Sequence, residues 1–293
     1  MTDKYSFINA EKDNYPITKM CAWLGVSRSG FHAWAKRSPS VTALRRARLE
    51  KLVQAIFDEY DSRYGYRKIH RELARRGVTV SEWLVRNIMN ALGLVCCHPR
   101  PYKVTTISDG GGPVLPDLLE RDFVADRPGE VFVGDITYIP TWEGWVYLAT
   151  VIDTHTREVV GYHMDSNMKT PLITAAVGKA VVAGLVNRGA IFHSDRGSQY
   201  TSEDFYLCLE GHDMHSSVGR TGVCWDNAMA ESFFASLKKE LVNRVSFPTR
   251  KAAMDEISKY VEVFYNRRRI HASIGYNTPL ETRQAWQNRN QAA

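Results

Sequence analysis

An aspartate stands in the middle of an otherwise apolar run, Val131-Phe132-Val133-Gly134-Asp135-Ile136-Thr137-Tyr138-Ile139. Such a run reads as a buried strand. An ionised carboxylate inside one is costly unless a cation or partner compensates it. Two further acidic residues are placed to share that compensation. Asp195 follows the apolar segment Ala190-Ile191-Phe192-His193-Ser194. Glu231, with 35 residues between it and Asp195, lies in Asp226-Asn227-Ala228-Met229-Ala230-Glu231-Ser232-Phe233-Phe234, which reads as a helix. Three carboxylates converging from two strand ends and a helix make a hard-oxygen site for Mg²⁺ or Mn²⁺. Sites of that kind carry phosphoryl transfer.

The segments around these residues predict how they meet. Residues 131–139, 145–153 and 158–163 read as consecutive strands with short turns, 170–187 as a helix, 190–194 as a strand, 202–210 as a helix, 213–218 as a strand and 227–243 as a helix. This order is that of an α/β fold, a mixed five-stranded sheet flanked by helices. The fourth strand is expected to return beside the first, which sets Asp135 and Asp195 on adjacent strands. On the third helix, Ala230, Phe234, Leu237 and Leu241 form an apolar face. Glu231 then points roughly 90° from its centre. Lys238 is two turns further on, in line with Glu231, where a cation can hold a phosphate beside the carboxylates. A last helix is expected over about 249–266.

Other candidates read as structural. Asp153, after Val151-Ile152, is expected to form a turn, and Asp226 to cap a helix. His193 is expected to pack or hydrogen-bond at the rim.

Charge separates the remainder of the chain from this body. Residues 1–100 hold 18 Lys and Arg against 9 Asp and Glu, whereas residues 101–293 hold 20 against 23. A basic N-terminal third suggests a nucleic-acid-binding arm. Residues 16–37 read as a helix-turn-helix: Ile17, Met20 and Leu24 share a face, Gly25 turns, Ser27 caps, and Phe31 and Trp34 continue the core. Arg28, Ser29 and His32 are then left to face DNA. Residues 44–95 read as a second such unit, with helices through Leu49 to Phe57, through Leu73, and from Ser81 to Gly93. There Arg86, Asn87 and Asn90 are the groove-reading candidates. The prolines and glycines of 99–116 mark a linker. Five cysteines without a CxxC pair argue against a disulfide framework and a zinc knuckle. A polar N-terminus and the absence of a long apolar stretch predict neither signal peptide nor membrane span, and a reducing cytoplasmic setting.

Five segments carry a resemblance: Gly134-Asp135-Ile136-Thr137-Tyr138, His193 to Ser202, Trp225 to Phe234, Tyr265-Asn266-Arg267-Arg268-Arg269-Ile270-His271 with Gly275 to Glu281, and Tyr64-Gly65-Tyr66-Arg67-Lys68-Ile69. Together they resemble the DDE, integrase-type transposases of bacterial insertion sequences, specifically the OrfB product of the insertion-sequence-3 family. The likeness runs from about residue 16 to 286.

It implies an RNase H-like core in which Asp135, Asp195 and Glu231 are catalytic and bind two Mg²⁺ (or Mn²⁺) ions, with Lys238 on the DNA. It also implies cleavage at the element's ends to expose 3′-hydroxyls, followed by strand transfer. The partners it implies are double-stranded DNA (terminal repeats and target), further copies of the chain assembled on DNA, and the product of an upstream frame, OrfA, that supplies a leucine zipper. The setting is the bacterial cytoplasm, with the nucleoid. The loop Gly219 to Cys224 is expected to be a flap over the metals.

The chain is thereby expected to divide into a helix-turn-helix (1–40), a second helix-turn-helix-like unit (41–98), a linker (99–125), the catalytic core (126–245) and its helical extension (246–293). A retroviral-type integrase is disfavoured because no His-His-Cys-Cys set precedes residue 100. The remaining alternatives are an RNase H-like endonuclease that does not join, and a non-catalytic protein that binds DNA ends.

Overall fold

Three strands in succession build half of a sheet, β1 (Val131–Thr141), β2 (Gly144–Asp153) and β3 (Val159–Asp165). A computed structural model describes residues 1–97, 125–218 and 228–291. The expected linker, the Gly219 to Cys224 loop and the Asp226 cap therefore lie almost wholly outside the described residues. The β1–β2 turn closes where Thr141 Oγ1 donates to the Gly144 carbonyl at 2.6 Å, with Gly144 at φ 105°. Helix α7 (Thr170–Val182) then carries the chain to β4 (Ala190–Ser194), and α8 (Glu203–Gly211) leads to β5 (Met214–Val218). The sheet order is β3-β2-β1-β4-β5. β1 and β2 are antiparallel, as are β2 and β3; β1–β4 and β4–β5 are parallel. The five-stranded mixed sheet expected from the sequence is the one observed.

Alternation along β1 feeds two cores. Val133 and Ile139, with Val146, Leu148 and Ile152 of β2, pack against helices α9 (Ala228–Glu240) and α10 (Arg250–Lys259). Phe132 with Ala149 and Val151 packs on the other face against α7 and α8. Gly134 is required between them, because a β-carbon there would collide with the Phe192 ring of β4. Helix α10 is capped by Thr249, whose hydroxyl accepts from Ala252 N at 3.1 Å. It runs into a π-helical turn, Tyr260–Tyr265.

Several boundaries differ from expectation. The helix after β3 stops at Val182 and not 187, because Gly184 takes a left-handed φ of 67°. Helix α9 stops at Glu240 and not 243, and a 3₁₀ turn, Val242–Arg244, follows. The helix expected to end near 266 is not the last, since α11 (Pro279–Gln291) follows it. Pro279 is the buried residue of α11. The helix is moored by charge, Arg283 Nε donating to Glu158 at 2.7 Å, so no apolar period announces it.

The N-terminal helices form two bodies. The first comprises α1 (Thr2–Ala10), α2 (Ile17–Trp23) and α3 (Arg28–Ala35). They close over a small separate core of Tyr5, Ile8, Met20, Cys21 and Phe31. Ser27 caps α3 as expected, accepting from Gly30 N, whereas α1 was not foreseen. The second comprises α4 (Val41–Glu59), α5 (Tyr66–Arg75) and α6 (Glu82–Ala91). Its core residues Leu49, Val53, Ile56, Ile69, Leu73 and Ile88 are continuous with the α9–α10 face of the sheet. This unit is therefore packed against the body and is not a detached arm. No helix among the described residues is long and apolar enough to cross a membrane.

Candidate active site

Register fixes the first carboxylate. Asp135 pairs with Thr150 of β2, two residues beyond Val133, on the face that α9 covers. β4 accompanies β1 as far as the pair Val133–His193. Asp195 therefore emerges one residue past the end of β4, beside the point where β1 loses its parallel neighbour. A crevice at the carboxyl ends of parallel strands is where open α/β sheets place their ligands. Glu231 sits on the first turn of α9, exposed, while Ala230, Phe233, Phe234 and Leu237 are buried. Phe233 widens the apolar face beyond the residues expected for it.

The three acids are electrostatically coupled. Burial raises the Asp135 carboxyl to about 7, Asp195 and Glu231 add to the rise, and the Ile136 amide and Lys238 oppose it. Asp135 Oδ1 accepts from Ile136 N at 2.7 Å. Asp195 Oδ1 accepts from Gly197 N at 3.0 Å in the loop after β4. Each Asp is thus held by a local backbone amide. Among the described residues, no three His, Cys, Asp or Glu side chains are gathered closely enough to enclose a metal ion.

The donor set nonetheless suits a divalent cation, being hard oxygens of which one, Asp135, is half-buried and pushed towards protonation by desolvation and then by the other two. Tyr200, fully buried beneath them against Phe192 and Phe205, has its hydroxyl raised well above its usual range by burial, then by Asp135 and Asp195.

Lys238, half-buried on α9, places Nζ 5.2 Å from the centroid of the Tyr138 ring. Of the three residues expected to be structural, Asp226 lies outside the described residues and the other two are buried and hydrogen-bonded. Asp153 is buried and accepts from Gly129 N at 2.6 Å, Thr156 N at 2.7 Å and Thr156 Oγ1 at 2.9 Å. His193 is buried with Nδ1 2.9 Å from Ser217 Oγ. The candidate DNA contacts lie elsewhere. Arg28 and Ser29 are exposed at the start of α3, and His32 packs on Phe31. On α6, Arg86 and Asn90 are exposed and Asn87 is half-buried. None of the six joins the carboxylates.

Sequence relatives decide what kind of protein holds this arrangement. The transposase InsF of insertion sequence IS3A from Escherichia coli K12 is 35% identical over 291 residues, 99% of this chain and 100% of that one. The chain belongs to the IS3 family of insertion-sequence transposases. Within the same range, this IS3-family protein is 38% identical over 246 residues to the transposase of element IS904 from Lactococcus lactis, 84% of one chain and 97% of the other. An uncharacterized 31 kDa protein of element IS600 from Shigella sonnei is 36% identical over 267 residues, 91% and 98% of the two chains.

Family models match three stretches of the IS3-family chain. An HTH-like domain matches residues 44–102, and two integrase core domain models match 125–224 and 212–279. Asp135 and Asp195 fall in the first of these core regions and Glu231 in the second. Among solved structures, the HTLV-2 integrase catalytic core domain in complex with magnesium aligns at 14% identity over 54% of this chain and 98% of that one, TM-score 0.41. That likeness is too slight to bear on the site.

Two features of this transposase were not read from its sequence. One is a buried polar cluster around Glu240. Arg269 reaches it with Nε at 3.0 Å and Nη2 at 2.8 Å, and Tyr260 Oη donates to it at 2.8 Å. Arg269 lies in a segment noted above, but nothing there marked it as the partner of a glutamate 29 positions earlier. The other is a group of exposed aromatics, Tyr138, Trp142 and Trp145, at the β1–β2 hairpin. Their signal was the hairpin sequence itself, Tyr138-Ile139-Pro140-Thr141-Trp142-Glu143-Gly144-Trp145.

Proposed function

We propose that the chain cuts the ends of its insertion sequence to expose 3′-hydroxyls and joins them to target DNA, with Asp135, Asp195 and Glu231 as the catalytic carboxylates. The observation that carries the reading is the coupling of a half-buried strand carboxylate to two others at the mouth of the β1–β4 crevice. These three residues would hold two divalent ions, Mg²⁺ or Mn²⁺. Such ions, when bound, supply Lewis-acid stabilisation to the attacking and leaving oxygens of an in-line displacement.

The protein's own residues orient and position. Asp135 is fixed by the sheet, Asp195 by the Gly197 amide, and Glu231 by the buried face of α9. Lys238 neutralises a phosphate on the strand that enters along α9. Neither reaction needs a nucleophile from the protein, because water serves for cleavage and the DNA 3′-hydroxyl for joining. Arg28, Ser29 and His32 on α3, and Arg86, Asn87 and Asn90 on α6, are the residues we assign to the terminal repeats. Synapsis of two ends calls for more than one copy of the chain on DNA, and the upstream-frame OrfA product is a further candidate partner.

Asp135→Asn, Asp195→Asn and Glu231→Gln should each reduce cleavage, and strand transfer from pre-cut ends, to background while end binding persists. Gel assays on labelled terminal DNA measure all three quantities. Full activity in any one variant would sink the assignment. Cleavage without transfer by the unaltered protein would leave a nuclease that does not join.

A further inference from the structure

β4 pairs with β1 over Val131 to Val133, and β1 continues past that pairing into its hairpin with β2. Along this stretch the hairpin displays aromatic rings to solvent. Tyr138 is 56% exposed, Trp145 47% and Trp142, at the turn, 78%. Tyr138 and Trp145 meet edge to face with centroids 4.9 Å apart. The Lys238 ammonium lies over the Tyr138 ring, 5.2 Å from its centroid. Trp142 also walls a cleft of about 350 Å³ shared with Asn243 and Ser246, and its amide donates to the Phe247 carbonyl at 3.1 Å, which fixes the tip.

Cross-strand packing explains the Tyr138–Trp145 pair alone. It does not explain Trp142, which faces water beside a recess whose lining mixes apolar residues with Asn243, Arg244 and Ser246. Rings interleaved with cations are how proteins hold unpaired nucleic acid, since bases stack on the rings and cations meet the backbone. Duplex DNA hides its base faces, so this chemistry selects single strands.

We propose that the β1–β2 hairpin is a binding site for unpaired nucleotides of the DNA strand next to the reacting phosphate. Tyr138 and Trp145 form a stacking platform, Trp142 and its cleft accept a base beyond it, and Lys238 neutralises the intervening backbone. Along the backbone Tyr138 is three strand residues from Asp135, about 10 Å, on the opposite face of the sheet, and Trp142 is seven, about 24 Å, so a strand reaches them from Asp135 by passing round the side of β1. The platform thus engages the first few nucleotides, and the cleft one further out. The position of the reacting phosphate rests on the carboxylate assignment above; the stacking site does not.

The test measures binding without chemistry, using the full chain in EDTA. Two oligonucleotide duplexes are compared, one blunt and one carrying a three-nucleotide unpaired 3′ extension with 2-aminopurine in the extension. The unaltered protein should prefer the extended duplex and quench the 2-aminopurine. Trp142→Ala and Trp145→Ala should each cut that preference roughly tenfold, the scale of one lost base stack, and leave blunt-duplex affinity unchanged. Trp142→Phe should retain most of the preference, which separates stacking from folding.

Equal binding of both duplexes by the unaltered protein would overturn the proposal, as would an unchanged preference in both alanine variants. Concentration-dependent self-association that Trp142→Ala abolishes, with the DNA preference intact, would assign the rings to a second copy and also overturn it. Activity persisting in Asp135→Asn would refute the carboxylate reading while leaving these binding results in force.

Discussion

The two N-terminal helical units have similar helix-turn-helix patterns but stand in opposite relations to the rest of the molecule. The first closes over five buried residues of its own, and no hydrogen bond or ion pair among the described residues ties 1–39 to the sheet. The second shares its core with the sheet's α9 face and is fastened to it by polar contacts.

Tyr64 Oη donates to the Arg268 carbonyl at 2.9 Å and accepts from Ile270 N at 3.0 Å. Arg63 Nε donates to the Glu240 carbonyl, Arg244 pairs with Asp61, and Arg268 pairs with Glu59. The Arg63 guanidinium also lies 4.5 Å from the Phe264 ring centroid. Similar helical patterns therefore need not mean similar roles. One unit closes a core of its own, and the other is part of the scaffold that carries α9 and Glu231.

The largest break in this comparison should come from Glu240→Ala. It leaves Arg269 buried and without its carboxylate, a loss of about 3–5 kcal/mol. Chemical denaturation should show the second unit and the sheet weakening together. Phe31→Ala removes a buried ring, at a comparable cost of about 3–5 kcal/mol. Its effect should stay local, with hydrogen exchange accelerating in residues 2–35 while the main unfolding midpoint stays in place. A parallel fall in the main transition would refute the separateness of the first unit.

Tyr64→Phe deletes one hydroxyl from the junction and should cost about 1–2 kcal/mol, read from urea unfolding. Lys68 gives the smallest and most specific effect. Its Nζ lies 4.9 Å from the Tyr64 ring centroid and meets no hydrogen-bond acceptor among the described residues. Burial, then Arg269, lowers it to about 7. Between that value and the ordinary lysine range the unfolded chain binds a proton that the folded one does not. Its penalty is therefore full at pH 7 and below, and fades as pH rises towards 10. Lys68→Met should raise the melting temperature at pH 7, with the gain shrinking at pH 9–10. A gain independent of pH would place Lys68 outside the low-dielectric junction.

What the sequence revealed followed from local rules. A strand interrupted by Asp135, the strand and helix order, and caps at Ser27 and Ser81 were legible because propensity and period agree there. Helices α1 and α11 were not, since α1 does not gather its apolar residues on one face and α11 is held by ion pairs. The junction was invisible for another reason. Tyr64 meets Ile270 across 206 positions, and Glu240, beside the exposed-looking Lys238 and Lys239, carries no sign that it is buried. The site was legible as three residues, but their separation was not. Asp135 and Asp195 each turn to a neighbouring amide, a choice made by side-chain torsion and not by sequence spacing.

The π-helical turn at Tyr260–Tyr265 gives the junction its rotational phase. It buries Tyr260, Val261, Phe264 and Tyr265 while leaving Val263 exposed. One surplus residue in a helix rotates everything after it by roughly 100° relative to the unbroken period. That extra step carries the chain round to the angle at which Arg269 faces inward to Glu240 and Ile270 reaches Tyr64. The turn behaves as a single-tooth gear offset: removing one residue from it would restore a regular helix and unmesh the second helical unit from the sheet, although every contacting side chain would still be present.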